Sequence, residues 1–149
     1  MKHRRTWVLI ADAGRARILE GDGSGQGLKP VEGMRFETDL PPTHELVNDR
    51  QSRSFESVGP ARHAISGGVD PHRKEKRRFV EDIAKVLSEK LDQKAYDRLV
   101  VVAPPQALGD FRDAIPENVR TRIVNEVAKD LTKTKNEDVA GILGLSFSL

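Results

Sequence analysis

Thr6-Trp7-Val8-Leu9-Ile10-Ala11-Asp12-Ala13-Gly14-Arg15-Ala16-Arg17-Ile18-Leu19-Glu20 decides the fold. Trp7 to Ala11 is apolar at every position, so a strand here needs cover on both faces, the requirement of a central strand rather than of a half-solvated edge. Asp12-Ala13-Gly14 supplies turn chemistry, and Arg15 to Glu20 resumes as a more mixed strand, which predicts a β-hairpin. After the glycine-rich connector Gly21 to Gly27, Val31 to Thr38 reads as a weaker third strand.

Downstream the periodicity changes. Phe79, Ile83, Val86, Leu87 and Leu91 fall at i, i+4, i+7, i+8 and i+12, one face of an amphipathic helix. Asp70 is the expected N-cap and Pro71 the first helical residue. Leu99 to Ala103 is a fully apolar strand, and Pro104-Pro105 opens a short helix with Leu108, Phe111 and Ile115 on one face. Val119 to Ile123 alternates like a strand, although Val119, Ile123, Val127 and Leu131 also recur every fourth residue; a strand is expected. Thr134 and Glu137 have capping-box spacing ahead of Val139, Ile142 and Leu143, which predicts a last helix. The order β-β-β-loop-α-β-α-β-α predicts an α/β fold, a mixed sheet flanked by helices.

The 149 residues suit a single domain spanning 1–149. Within it, roughly thirty residues from Leu40 to Val69 form a polar, turn-rich loop, a length uncommon in a small domain unless the loop has a function or is disordered. The absence of cysteine excludes disulfides and thiolate chemistry and suits a reducing compartment. The basic start Met1-Lys2-His3-Arg4-Arg5 precedes an apolar run too short for a signal peptide, and no stretch is long enough to span a membrane, so a cytoplasmic protein is expected.

Net charge is only +2, with 25 Lys and Arg against 23 Asp and Glu. Its distribution is more informative than its sum. Residues 72–78 carry five cations and one glutamate, 5 − 1 = +4, with His72 alongside. Arg73/Arg77 and Lys74/Arg78 are i, i+4 neighbours able to touch several phosphates at once, and Arg50, Arg53 and Arg62 add charge in the loop. These residues are the expected RNA-binding set, and a solvated helix start is the plainer reading. No cluster of aromatics favours base stacking, so recognition would rest on shape and backbone.

Other constellations carry less. Gly21 to Gly27 has the spacing G-x-G-x-G-x-G and precedes no helix, unlike a dinucleotide fingerprint. His3, His44, His63 and His72 form no zinc-binding pair, so neither a metal nor another cofactor is expected. Asp12, at the end of the buried strand, could join Glu126 or Asp130 around a divalent ion for phosphodiester chemistry, the enzymatic alternative. A protein-interaction or homo-oligomerisation module is the third reading.

The segments Trp7 to Ile18, the helix ending in Leu91, Arg98 to Arg112 and Glu126 to Thr132 together resemble bacterial proteins labelled host attachment protein. Those proteins are in turn similar to the middle domain of archaeal and eukaryotic class-one peptide release factors and of the ribosome-rescue factor Pelota. The resemblance implies a ribonuclease-H-like α/β fold and a ribosome- or tRNA-contacting role in translation. In the release factors a Gly-Gly-Gln loop before the long helix promotes peptidyl-tRNA hydrolysis; here Gly67 and Gly68 are present and Val69 replaces the glutamine. A valine side chain can neither donate nor accept a hydrogen bond, so the resemblance implies binding without release chemistry.

Overall fold

The structure, a computed structural model, describes residues 4–21, 27–38 and 71–144. In chain order its elements are β1 (Thr6–Ala11), β2 (Arg15–Gly21), β3 (Lys29–Glu37), α1 (Arg73–Asp92), β4 (Arg98–Val102), α2 (Pro105–Ala114), α3 (Glu117–Arg120), β5 (Ile123–Val127) and α4 (Asn136–Leu143). The five strands form one sheet in the order β3-β2-β1-β4-β5. β1–β2 and β2–β3 are antiparallel, whereas β1–β4 and β4–β5 are parallel. The expected mixed α/β sheet is what these residues build.

The apolar run of β1 is buried on both sides because its alternate residues feed two cores. Trp7, Leu9 and Ala11 join Leu99 and Val101 of β4 beneath Phe79, Val80, Ile83, Ala84 and Leu87 of α1 and Leu108 and Phe111 of α2. Val8 and Ile10 point the other way and join Val100, Val102, Leu131 and Val139. On the first face the Trp7 and Tyr96 rings stack with centroids 4.7 Å apart, Trp7 Nε1 donates to Glu20 Oε1 at 2.9 Å, and the Tyr96 hydroxyl donates to the Leu87 carbonyl at 2.7 Å. Each buried aromatic thus has its polar atom satisfied, as burial requires.

Four local expectations shift. β3 runs over Lys29–Glu37 rather than 31–38, with a register irregularity between the partners of Arg17 and Leu19 and Gly33 at φ +79°, a left-handed conformation suited to glycine. α1 begins at Arg73 with His72 in the N-cap position, so Pro71 precedes the helix, and Asp70 lies outside the described residues. Val119 is not in a strand: Pro116 starts the single turn of α3, Val119 is fully buried from it, and β5 begins only at Ile123. Arg120 Nη2 fixes that turn by donating to the carbonyls of Arg112 and Ile115 at 3.1 and 2.8 Å. Finally, α4 starts after Lys135 with no side-chain cap, so the Thr134–Glu137 capping box does not form. The Thr134 backbone is engaged elsewhere, its carbonyl by Arg17 at 2.5 Å and its N–H by the Leu131 carbonyl at 3.0 Å. No helix among the described residues is long and apolar enough to cross a membrane.

Candidate functional site

The cationic start of α1 is positioned by the helix's own amphipathicity. Burial of Phe79, Val80 and Ile83 sets the helix rotation, and the residues on other faces follow from it. Arg73 and Arg77, one turn apart, lean toward α2. There the Arg73 guanidinium grips the Asp110 carboxylate with both forks: Nη1 donates to Oδ2 at 2.7 Å and Nη2 to Oδ1. Arg77 Nε stands 4.0 Å from the same Oδ1. Asp110 is only 5% exposed and borders a groove between the two helices lined also by Arg77, Glu81 and Asp113, so its charge depends on this pairing.

The other two expected RNA contacts face solvent. Lys74 and Arg78 are exposed, and neither side chain forms a hydrogen bond or ion pair with another described residue. Lys85 is also exposed two turns beyond Arg78, with exposed Glu81 interrupting the row. His72 is half-buried at the helix start. Gly67, Gly68 and Val69 lie outside the described residues, as do Arg50, Arg53 and Arg62. The basic set therefore divides, with Arg73 bonded to a buried carboxylate and Lys74, Arg78 and the half-exposed Arg77 left on the surface.

The carboxylates proposed for metal chemistry lie at the carboxyl ends of the parallel strands, where open α/β sheets commonly hold ligands. Asp12 Oδ1 accepts from the backbone N–H groups of Gly14 at 2.8 Å and Arg15 at 2.7 Å, the Asx geometry of a tight turn. Thr132 Oγ1 lies 2.5 Å from Asp130 Oδ1 and 3.5 Å from Asp12 Oδ2, so these two acids flank one hydroxyl. Glu126 does not join them, because its Oε1 accepts from Arg112 Nε at 2.8 Å. Among the described residues no group of three His, Asp or Glu side chains is placed to hold a metal ion.

Two residues not singled out from the sequence organise these regions. Asp110 is one; a carboxylate at i+3 from buried Ala107 was its only local signal. Arg17 of β2 is the other. Its Nε donates to Asn136 Oδ1 at 2.7 Å, Nη1 to the Thr132 carbonyl at 3.0 Å and Nη2 to the Thr134 carbonyl at 2.5 Å. It thereby ties the segment between β5 and α4 onto the sheet. Burial, reinforced by nearby Arg35, lowers the Arg17 pKa from its ordinary value.

A family model described as a protein required for attachment to host cells matches residues 7–143, nearly the whole chain. The chain belongs to this host-attachment family. A search of curated proteins finds no match. The match takes in every described strand and helix apart from Thr6. Membership concerns attachment to host cells in its wording, and assigns no residue a role.

Proposed function

We propose that this host-attachment-family chain is a non-catalytic, cytoplasmic factor that contacts RNA, in a ribosome or a tRNA, through the solvent face of α1. The supporting observation is the placement of Lys74 and Arg78: exposed, one helical turn apart, and not neutralised by any described carboxylate. Cations so placed can replace the counterions of a phosphate backbone, which gives affinity without base readout. Arg77 adds a third guanidinium at the edge of the row. Arg73 contributes by holding α1 in place, since its fork is taken up by Asp110. The resemblance to release-factor middle domains, with Val69 where those proteins carry glutamine, agrees with binding rather than hydrolysis.

Filter binding of tRNA and ribosomal RNA at low ionic strength tests the reading. Wild type is expected to bind, and Lys74→Glu/Arg78→Glu to lose at least tenfold in affinity while keeping its circular dichroism spectrum. Equal binding by both proteins, or none by wild type, would remove RNA from the account.

A further inference from the structure

On the sheet face opposite α1, Arg17 of β2 and Arg35 of β3 are direct register partners in an antiparallel ladder. Like charges directly opposite one another repel, and sheets ordinarily avoid the arrangement. Arg15, two residues before Arg17, projects from the same face. The three side chains, with Thr132 and Glu37, line a cavity of about 50 Å3 beside the segment that connects β5 to α4. That volume holds roughly four water-sized positions, comparable with a tetrahedral oxyanion.

The charges around the cavity do not cancel. Arg15 has Asp12 Oδ2 4.0 Å from its Nη2 and Glu37 as its register partner across the ladder. Arg17 donates to the side-chain oxygen of Asn136 and to main-chain carbonyls, all of them neutral acceptors, and is held rather than neutralised. The Arg35 side chain makes no hydrogen bond or ion pair with another described residue. Three arginines thus line the cavity against the single carboxylate of Glu37, and neither Arg17 nor Arg35 forms an ion pair with a described residue. Arg17, its fork taken up by those neutral acceptors, contributes its charge, whereas Arg35 has its whole planar fork to offer to phosphate oxygens, and a dianion between them would turn the repulsion into attraction.

We propose that the cavity between Arg15, Arg17 and Arg35 is a binding site for a phosphate group, either free phosphate or a phosphomonoester. The site lies across the sheet from Lys74 and Arg78, so it is independent of the RNA contact: Arg17 sits opposite Ile10, whose core is the one completed by Leu131 and Val139, whereas α1 covers the other.

The test uses the full chain and three titrants at matched ionic strength: sodium chloride, inorganic phosphate and AMP. Binding is followed by saturable 31P line broadening and by the thermal midpoint. Arg35→Gln is the variant of choice because Arg35 is exposed and its loss relieves the repulsion on Arg17, so the folded state tolerates it. Wild type is expected to saturate with phosphate, AMP or both, and which of them does so identifies the ligand as free or esterified phosphate. Arg35→Gln is expected to weaken that binding at least tenfold while its midpoint in phosphate-free buffer stays level or rises, and Arg78→Glu to bind as wild type does. Phosphate exclusion from protein surfaces raises midpoints generally, so a rise shared equally by wild type and Arg35→Gln overturns the proposal. So does the absence of saturable broadening with either anion.

Discussion

Arg73 on α1 and Asp110 on α2, 37 positions apart, form a forked guanidinium–carboxylate contact at the mouth of the seam between the two helices. Asp110 is buried where Arg77 also approaches it, and the carboxylate has replaced water with these two cations. Removing one partner of such a pair leaves a charge without compensation, which costs far more than the pair contributes over an apolar substitute.

Arg73→Met is accordingly expected to destabilise the fold by about 3 kcal/mol, the lower end for broken buried pairs because Arg73 itself is partly solvated. Arg78→Met, on the same helix but exposed, is expected to change stability by less than about 0.5 kcal/mol. Urea denaturation of both variants separates the two roles; equal midpoints would contradict the division of the basic set. Arg73→Lys should rescue poorly, since an ammonium cannot reproduce the fork.

Arg17→Met should release the segment from Leu131 to Asn136, whose three carbonyls and one amide oxygen it holds. Loss of these charge-assisted bonds is expected to cost about 2 kcal/mol or more. Hydrogen exchange is the sharper readout: amides of 131–143 should exchange faster while those of β1 and β4 change in proportion to global stability alone.

Tyr96 sets a pH dependence. Burial, the largest influence, raises its pKa; Asp92 raises it further and Arg122 opposes the shift. A group whose folded pKa exceeds its unfolded value, near 10 for a phenol, favours folding fully below the unfolded value. That contribution is lost as pH rises toward the folded value. Stability is therefore expected to fall above about pH 10. Tyr96→Phe should flatten this limb while losing about 1 kcal/mol at neutral pH through the missing bond to the Leu87 carbonyl. An unchanged alkaline limb in Tyr96→Phe would assign the decline to other groups.

The central strands and α1 were legible because their patterns admit one reading. Five successive apolar residues in β1 and four in β4 have to be covered on both faces, and the i, i+4, i+8 spacing of Phe79, Ile83 and Leu87 makes a helical stripe and nothing else. Val119 was ambiguous because it fits both a two-residue and a four-residue period; Pro116 decided in favour of a turn of helix. Charge patterning found the basic start of α1 but could not divide it. Nothing local marks Arg73 as bonded and Lys74 as solvated, since the difference lies in Asp110, brought there by packing of two helices. The Thr134 cap failed for a similar reason, with Arg17, 117 positions away, donating to the Thr134 carbonyl.

The most direct test of the RNA-contacting role is co-sedimentation with ribosomes across a salt series, comparing wild type with Lys74→Gln/Arg78→Gln and leaving Arg73 intact to preserve the clamp. The account predicts salt-sensitive binding by wild type, with the slope of log affinity against log salt reduced by about 1.5 in the variant, two phosphate contacts fewer. Binding with the same slope in both proteins, or no binding by wild type at any salt concentration, would contradict it.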